Sequence, residues 1–190
     1  MFSNIAKPNY AVQERWLTTY YYARSAFSIL WVVAVLALAS KAPAIAAVLL
    51  VIYPAWDGLA NLVDGSRSGG IGQNRTQALN VVASLAVAAG VAVALPDMHR
   101  VLAIFGVWAI LSGLLQLGTG VRRWKAYGAQ WAMILSGAQS ALAGATFIYQ
   151  AQAPAEPSIA TLVGYAGFGA FYFLVSAISL SVRARRTKQA

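Results

Sequence analysis

Few residues in this sequence could do chemistry, and the most prominent ones follow an apolar run. In "YPAWDGLANLVDG" (53–65), Asp57, Asn61 and Asp64 are separated by four and three residues, which places them along one face of a helix. Arg67 continues that face one turn after Asp64. Carboxylates in such a row can form ion pairs, accept hydrogen bonds or take up a proton. This stretch is therefore the first candidate for a functional site.

The composition restricts other kinds of chemistry. The chain has no Cys, so neither disulfides nor thiolate catalysis can be argued, and His99 alone offers little for a transition-metal site. The loop "DGSRSGGIGQNRTQ" (64–77) combines glycines with Arg67 and Arg75. It matches neither the P-loop nor the dinucleotide pattern, and no strand precedes it. We therefore predict no catalytic, cofactor-binding or metal site, and no enzyme.

The whole chain is too apolar for a soluble domain. Of its 190 residues, 59% are hydrophobic and 10% are charged, whereas soluble domains have about 25% charged residues. The formal charge of +9 could indicate nucleic acid. However, the basic residues lie between apolar runs, so membrane topology explains the charge and we predict no nucleic-acid partner. Ala37-Leu38-Ala39 resembles a signal-peptide cleavage site, but the segment before it is long and contains Glu14. We expect the first helix to be retained.

Apolar windows long enough to cross a bilayer define the predicted fold. They lie at about 20–39, 43–63, 78–95, 100–120, 129–150 and 158–182. We predict an all-α membrane protein with six transmembrane helices in a single bundle, built as three helical hairpins in pseudo-repeat. Residues 1–18 are expected to form an interfacial N-terminal segment and residues 183–190 a basic C-terminal tail.

The distribution of Lys and Arg predicts the orientation. Lys41 and Arg100 would lie on one side of the membrane, and the other twelve basic residues on the opposite side. These twelve are Lys7, Arg15, Arg24, Arg67, Arg75, Arg122, Arg123, Lys125, Arg183, Arg185, Arg186 and Lys188. Both termini are therefore predicted to be cytoplasmic.

An internal repeat supports the hairpin construction. "GLANLVDGSR" (58–67) and "GLLQLGTGVR" (113–122) share five of ten positions, with Asn61 opposite Gln116, at a spacing of 55 residues. The end of the sixth window, "LVSAISLSVR" (174–183), keeps little beyond its final Val-Arg. Three parallel hairpins are the predicted construction. Chance similarity between two helices rich in Leu and Gly is the alternative.

The hairpins, together with "RRWKAYGAQWAMILSGAQSALAGA" and "FGVWAILSGLLQLGTGVRRW", resemble the HdeD-type acid-resistance membrane proteins. The resemblance covers roughly residues 20–182. It implies a bacterial inner-membrane protein linked to acid or envelope stress, and it supplies no catalytic residues to carry over. "YPAWDGLANLVDGSRSGG" lies outside the generic pattern and would mark a subgroup.

Asp57 is the acidic residue that most needs a partner. It lies eight residues inside the expected boundary, or about 12 Å deep, where a carboxylate costs about 2.5–3.5 kcal/mol. Arg24 enters from the same side to about the same depth, so we predict an Arg24–Asp57 ion pair. Asp64 and Arg67 are predicted to form a solvated ion pair at the cytoplasmic end of the helix.

The intramembrane pair has two interpretations that the sequence leaves open. It could fix the register of the first hairpin, or Asp57 could be a protonatable site in a pathway. Asn61, Gln116 and Gln139 would form a polar layer with it. The fifth apolar window, 129–150, also carries small residues at helical spacing, including Gly137 and Gly144. We expect these residues to pack within the bundle rather than in a dimer.

These patterns favour a non-enzymatic, structural or accessory component of acid or envelope stress that packs with other membrane proteins. The alternative is a small proton-linked transporter or channel that uses Asp57. The nearly pure apolar outer halves of helices 1, 3 and 4 argue against a hydrated through-pore. The expected partners are a larger membrane complex or a second copy, with "FGAFYF" (168–173) as a contact surface, and anionic lipid headgroups. The headgroups are predicted to bind at Arg67, Arg75, Arg122, Arg123, Arg185 and Arg186.

Overall fold

The computed structural model describes residues 10–125 and 130–189, with side chains from 13 to 186 outside that gap. In this part of the chain the helices are α1 (Tyr10–Ala34), α2 (Pro43–Arg67), α3 (Arg75–Ala94), α4 (Met98–Arg123), α5 (Gln130–Gln150) and α6 (Thr161–Gln189). A π-helical turn, Val35–Ala39, extends α1, and a 3-10 turn, Ile71–Gln73, precedes α3.

Each of these six helices of the described chain is long and apolar enough to cross a membrane. By length and composition the spans are Gln13–Ala39, Pro43–Arg67, Arg75–Ala94, Met98–Arg123, Gln130–Gln150 and Thr161–Arg186. Their lengths of 20 to 27 residues match a hydrocarbon core about 30 Å thick. The prediction of an all-α, multi-pass membrane protein is confirmed at this level.

The two terminal helices are longer than their apolar windows. α1 begins at Tyr10, so the described part of the predicted segment 1–18 belongs to this helix, and residues 1–9 lie outside the described residues. α6 continues through the predicted tail to Gln189, and Ala190 also lies outside. For α1 the extra turns have a packing reason, because Leu17 is buried in an apolar cluster together with Leu180 of α6. Apolar windows cannot predict this contact.

The helices form a closed ring. Each helix packs against the next one along the chain, and α6 packs against α1. Contacts are most extensive between α4 and α5, between α1 and α6, and between α2 and α3, while α1 and α2 touch over a smaller area. This packing does not divide the ring into consecutive hairpins, and the hairpin repeat stays a prediction.

Glycines allow α4 and α5 to pack most closely. A Cβ built at Gly113 would lie 2.6 Å from the carbonyl oxygen of Gly137, and one built at Gly106 would lie 2.8 Å from that of Gly144. Helices in lipid associate through such close backbone approach, since burial from water no longer drives them together. At Gly137 and Gly144 the small residues of α5 pack within the bundle, as the sequence predicts.

An apolar cluster fills the ring at the end where α3 connects to α4. Its buried members include Trp31, Leu50, Phe105 and Phe147, together with Leu162 at the start of α6. We call it the apolar cluster below. The opposite end of the ring carries the termini of α2 and α4 that hold Arg67 and Arg123, and we call it the arginine end.

Candidate functional site

A cavity of about 440 Å³ lies inside the ring and is lined by residues of all six helices. Every residue of the predicted site except Arg67 contributes to its wall. These residues are Arg24, Asp57, Asn61, Asp64, Gln116 and Gln139. The side chains that the sequence assigns to an intramembrane polar layer therefore surround one common space.

Arg24 and Asp57 form an ion pair on this wall, through Nη2 and Oδ1, as the sequence predicts. Their side chains are only 12% and 8% exposed. The second carboxylate oxygen of Asp57 accepts hydrogen bonds from Asn61 Nδ2 at 3.1 Å and from Ser84 Oγ at 2.8 Å. A buried charge needs an opposite charge and further hydrogen bonds, and Asp57 has both.

The guanidinium of Arg24 is fixed by two more contacts. Its Nη1 donates to Tyr20 Oη at 3.1 Å, and its Cζ lies 4.5 Å from the ring centre of Phe173, within the range of a cation–π interaction. On the carboxylate side, Ser84 accepts a hydrogen bond of 3.0 Å from Trp108 Nε1. The network thus joins α1, α2, α3, α4 and α6 around the cavity.

Asp64 has a different partner from the predicted one. Its carboxylate pairs with Arg123 Nη2 at 3.3 Å, with side chains 4% and 13% exposed. Arg67 lies instead with its Cζ 4.5 Å from the ring centre of Trp16. The prediction of a solvated Asp64–Arg67 pair is therefore wrong. Because Asp64 faces the interior of the ring, it requires a buried cation, and the end of α4 supplies one while Arg67 remains exposed.

Asp64 also collects hydrogen bonds at the arginine end of the cavity. It accepts from Trp16 Nε1 at 3.3 Å, from Ser68 Oγ at 3.3 Å and from Gln77 Nε2 at 3.4 Å. With Arg123, these contacts tie α1, α2, α3 and α4 together. We call Asp64, Trp16, Gln77 and Arg123 the Asp64 cluster, and it lies at the arginine end of the cavity.

The remaining members of the predicted polar layer differ in their bonding. Asn61 Nδ2 also donates to the carbonyl oxygen of Asp57 at 2.8 Å, and Gln116 Nε2 donates to the carbonyl oxygen of Met133 at 3.2 Å. Gln139 lines the cavity. Asn61 and Gln116 therefore support the wall through these hydrogen bonds, and Gln139 contributes to the lining.

Two polar residues on α3 escape the sequence prediction. Gln77 Oε1 and Asn80 Oδ1 are buried, and neither atom has a hydrogen-bond partner among the described residues. Both residues line the cavity. Gln77, Asn80 and Ser84 are separated by three and four residues, which places them on one helical face. Asp57, Asn61 and Asp64 on α2 show the same kind of spacing. The spacing on α3 could therefore have predicted this wall of the cavity as well.

One of the arginines predicted to bind headgroups has a partner inside the bundle, because Arg123 lines the cavity and pairs with Asp64. The other candidates remain exposed, namely Arg67, Arg75, Arg122, Arg185 and Arg186.

No group of three or more His, Cys, Asp or Glu side chains that could hold a metal ion occurs in residues 10–125 and 130–189. The chain matches no protein-family model, and no curated protein or solved structure matches it either.

Proposed function

We propose that this chain is a non-enzymatic membrane carrier that binds a small molecule in its central cavity. The cavity itself is the observation that supports the proposal. Protein interiors are packed as densely as organic crystals, with few voids larger than a water molecule. A volume of about 440 Å³ falls instead in the range of small-molecule sites, about 300–1,000 Å³. A bundle with a purely structural role has no need of such a space.

The two ends of the cavity favour a carrier over a channel. The apolar cluster fills one end of the ring, so no continuous polar path crosses it. At the other end, the Asp64 cluster consists of hydrogen bonds and an ion pair, which water can replace when this end opens. A central site between two separate closures is the arrangement that alternating access requires.

Filling the cavity tests this proposal. Gly169 lines the cavity, and a Cβ there would have only Tyr53 Oη nearby, at 3.9 Å, so Gly169→Phe places a ring in the open space. Gly118 is the matched control, since it is exposed and has nothing within 4 Å of a built Cβ. The proteins are extracted with a polymer into native lipid discs, and bound small molecules are identified by mass spectrometry. We expect one compound to be enriched with wild type and Gly118→Phe and lost with Gly169→Phe. Equal recovery from all three proteins, or no enriched compound, contradicts the proposal.

We also propose that the chain resides in a bacterial inner membrane with both termini cytoplasmic, and that three hairpins form its repeat. The twelve-to-two distribution of Lys and Arg supports the orientation. The HdeD-type relationship is proposed on the sequence motifs alone. Because the chain lacks cysteine, single cysteines report topology without interference. Ser158→Cys should react with an impermeant maleimide on intact cells, and Gly72→Cys only after permeabilisation. The reverse labelling would overturn the orientation.

An accessory role in acid or envelope stress is the second candidate. The "FGAFYF" stretch of α6 presents Phe168 and Phe171 at the outer surface, 56% and 58% exposed, which suits contact with a larger membrane complex or a second copy. The exposed arginines of the arginine end suit anionic headgroups. Purification in native lipid discs tests this candidate, because a stable partner should travel with wild type and be lost when both phenylalanines are replaced by leucine.

A further inference from the structure

The charges on the cavity wall balance one another. Among the described residues that line it, the charged ones are Arg24, Asp57, Asp64 and Arg123, and they form two ion pairs. Neither pair leaves a charge for a ligand to neutralise. A ligand with a net charge would have to break a pair or remain uncompensated away from water, and both are unfavourable. The wall therefore selects a ligand without net charge.

The unpaired polar atoms of the wall indicate what the ligand must offer. Gln77 Oε1 and Asn80 Oδ1 are carbonyl acceptors without a partner among the described side chains and backbone. Both residues are more than nine-tenths buried, at 3% and 8% exposure. A buried acceptor that stays unpaired is destabilising. Neither oxygen is itself exposed to the cavity, so each side chain must rotate toward the cavity before it can pair with a bound group that donates hydrogen bonds. A hydroxyl or an amide N–H has this property without carrying charge.

The end of the cavity next to the apolar cluster suits an apolar body. Aromatic side chains stand there, including Trp108, Phe147 and Tyr165. The lining also includes Leu142 and Phe168, which are 71% and 56% exposed on the outside of the bundle. The cavity therefore reaches the lipid-facing surface between α5 and α6, a pair whose contact is much less extensive than that of α4 with α5.

We infer that the ligand is a neutral amphiphile, with a hydroxyl or amide head and an apolar chain, that enters from the bilayer between α5 and α6. This inference rests on the proposed function and specifies its ligand. The head lies against Gln77 and Asn80 on α3. The chain occupies the aromatic part of the cavity and extends through the gap beside Leu142 and Phe168.

Photolabelling with matched probes tests both the ligand class and the route. Three probes share a sixteen-carbon tail that carries a diazirine, and their heads are glycerol (neutral), phosphate (anionic) and trimethylammonium (cationic). The wild-type protein is used in lipid discs, because neutral detergents are themselves amphiphiles. We expect the glycerol probe to label inward-facing Phe147 or Tyr165, and excess unlabelled monoacylglycerol to abolish this labelling. The two charged probes should label only lipid-facing positions such as Val93, which is 86% exposed.

Glycines on α6 provide the variant and its control for the route. Gly164 lines the cavity and Gly167 does not, and a Cβ at either position meets nothing within 4 Å. Gly164→Phe should reduce labelling of the cavity at least tenfold, whereas Gly167→Phe should leave it unchanged. Equal labelling in both variants overturns the route. Stronger cavity labelling by a charged probe overturns the neutral class but leaves the proposed carrier intact, while the absence of cavity labelling by every probe, with no compound retained in native discs, contradicts the carrier itself.

Asn80→Leu separates a ligand-binding role from a structural one. Replacing this residue removes the unpaired Asn80 oxygen, so the empty protein should become more resistant to thermal unfolding. The same change removes one hydrogen bond to the head, which should weaken saturable labelling by the glycerol probe about fivefold to tenfold. A structural asparagine would give the opposite sign for stability. Lower thermal stability together with unchanged labelling overturns the assignment of Asn80 to the head.

Discussion

The Arg24–Asp57 pair allows a quantitative test of the network around the cavity. Both side chains are nearly nine-tenths buried or more, and breaking a buried pair by removing one partner typically costs about 3–5 kcal/mol. In Asp57→Asn, Arg24 keeps its hydrogen bond to Tyr20 and its contact with Phe173. In Arg24→Met, the carboxylate keeps Asn61 and Ser84 as donors. These remaining contacts favour the lower end of the range, about 3 kcal/mol for each single variant.

The double variant should be much more stable than the sum of the two losses implies. With both charges removed, no uncompensated charge remains, so we expect the double variant to lose about 3–4 kcal/mol rather than about 6 kcal/mol. The coupling energy is therefore about 2 kcal/mol or more, close to a thirtyfold change in the unfolding equilibrium. The free energy of unfolding is measured by titrating SDS into mixed micelles and following far-UV circular dichroism.

An exposed pair in the same chain provides the control cycle. Arg100 Nε lies 3.0 Å from Asp97 Oδ2, and the two side chains are 76% and 41% exposed. Exposed ion pairs contribute about 0–1 kcal/mol to the free energy of unfolding. The coupling energy of this cycle should be close to zero. If the Arg24–Asp57 cycle gave the same small value, the pair would be solvated rather than buried, which would contradict a buried ion pair on the cavity wall.

Two further predictions concern the packing and the corrected partner of Asp64. Gly137→Ala should lower the free energy of unfolding by about 1–3 kcal/mol, because its Cβ would lie 2.6 Å from the carbonyl oxygen of Gly113, whereas Gly118→Ala should be neutral or slightly stabilising in the same SDS titration. Arg123→Met should cost about 3 kcal/mol because it leaves Asp64 buried without its cation, while Arg67→Met should cost less than about 1 kcal/mol. If Arg67→Met instead cost more stability than Arg123→Met, Asp64 would be paired with Arg67 in solvent rather than with Arg123 inside the bundle.

The sequence predicts much of this architecture because lipid imposes simple rules. A run of about 20 apolar residues has few alternatives to a membrane-spanning helix, and the structure places helices at all the predicted windows. The similar depth of Arg24 and Asp57 in the membrane is enough to predict their pairing, since each lies near the middle of its span. The polar layer of Asn61, Gln116 and Gln139 follows from the same argument, because polar side chains in a membrane turn toward the interior of the bundle.

Such rules do not predict the partner of Asp64. Arg67 and Arg123 both lie at the arginine end of the ring, where α2 and α4 end. The three-residue spacing from Asp64 to Arg67 along α2 favours Arg67 as the partner. The choice depends on how α4 is rotated in the ring, which the close approach of Gly113 to Gly137 fixes. That contact joins positions on two helices, so neither helix predicts it by itself. The early start of α1 has the same origin, since it depends on burial of Leu17 against α6.

The polar faces of α2 and α3 support a ligand-binding role more strongly than either ion pair does. A bundle selected for stability alone would replace Asn80 with an apolar residue, because its unpaired oxygen opposes folding. It would also fill the space beside Asn80. Ion pairs such as Arg24–Asp57 can serve to fix helix register, but a cavity of about 440 Å³ and unpaired acceptors beside it contribute nothing to register. Their presence at one place is therefore best explained by a molecule that occupies the space and donates to both oxygens, and this is why Asn80→Leu should strengthen the fold while it weakens binding.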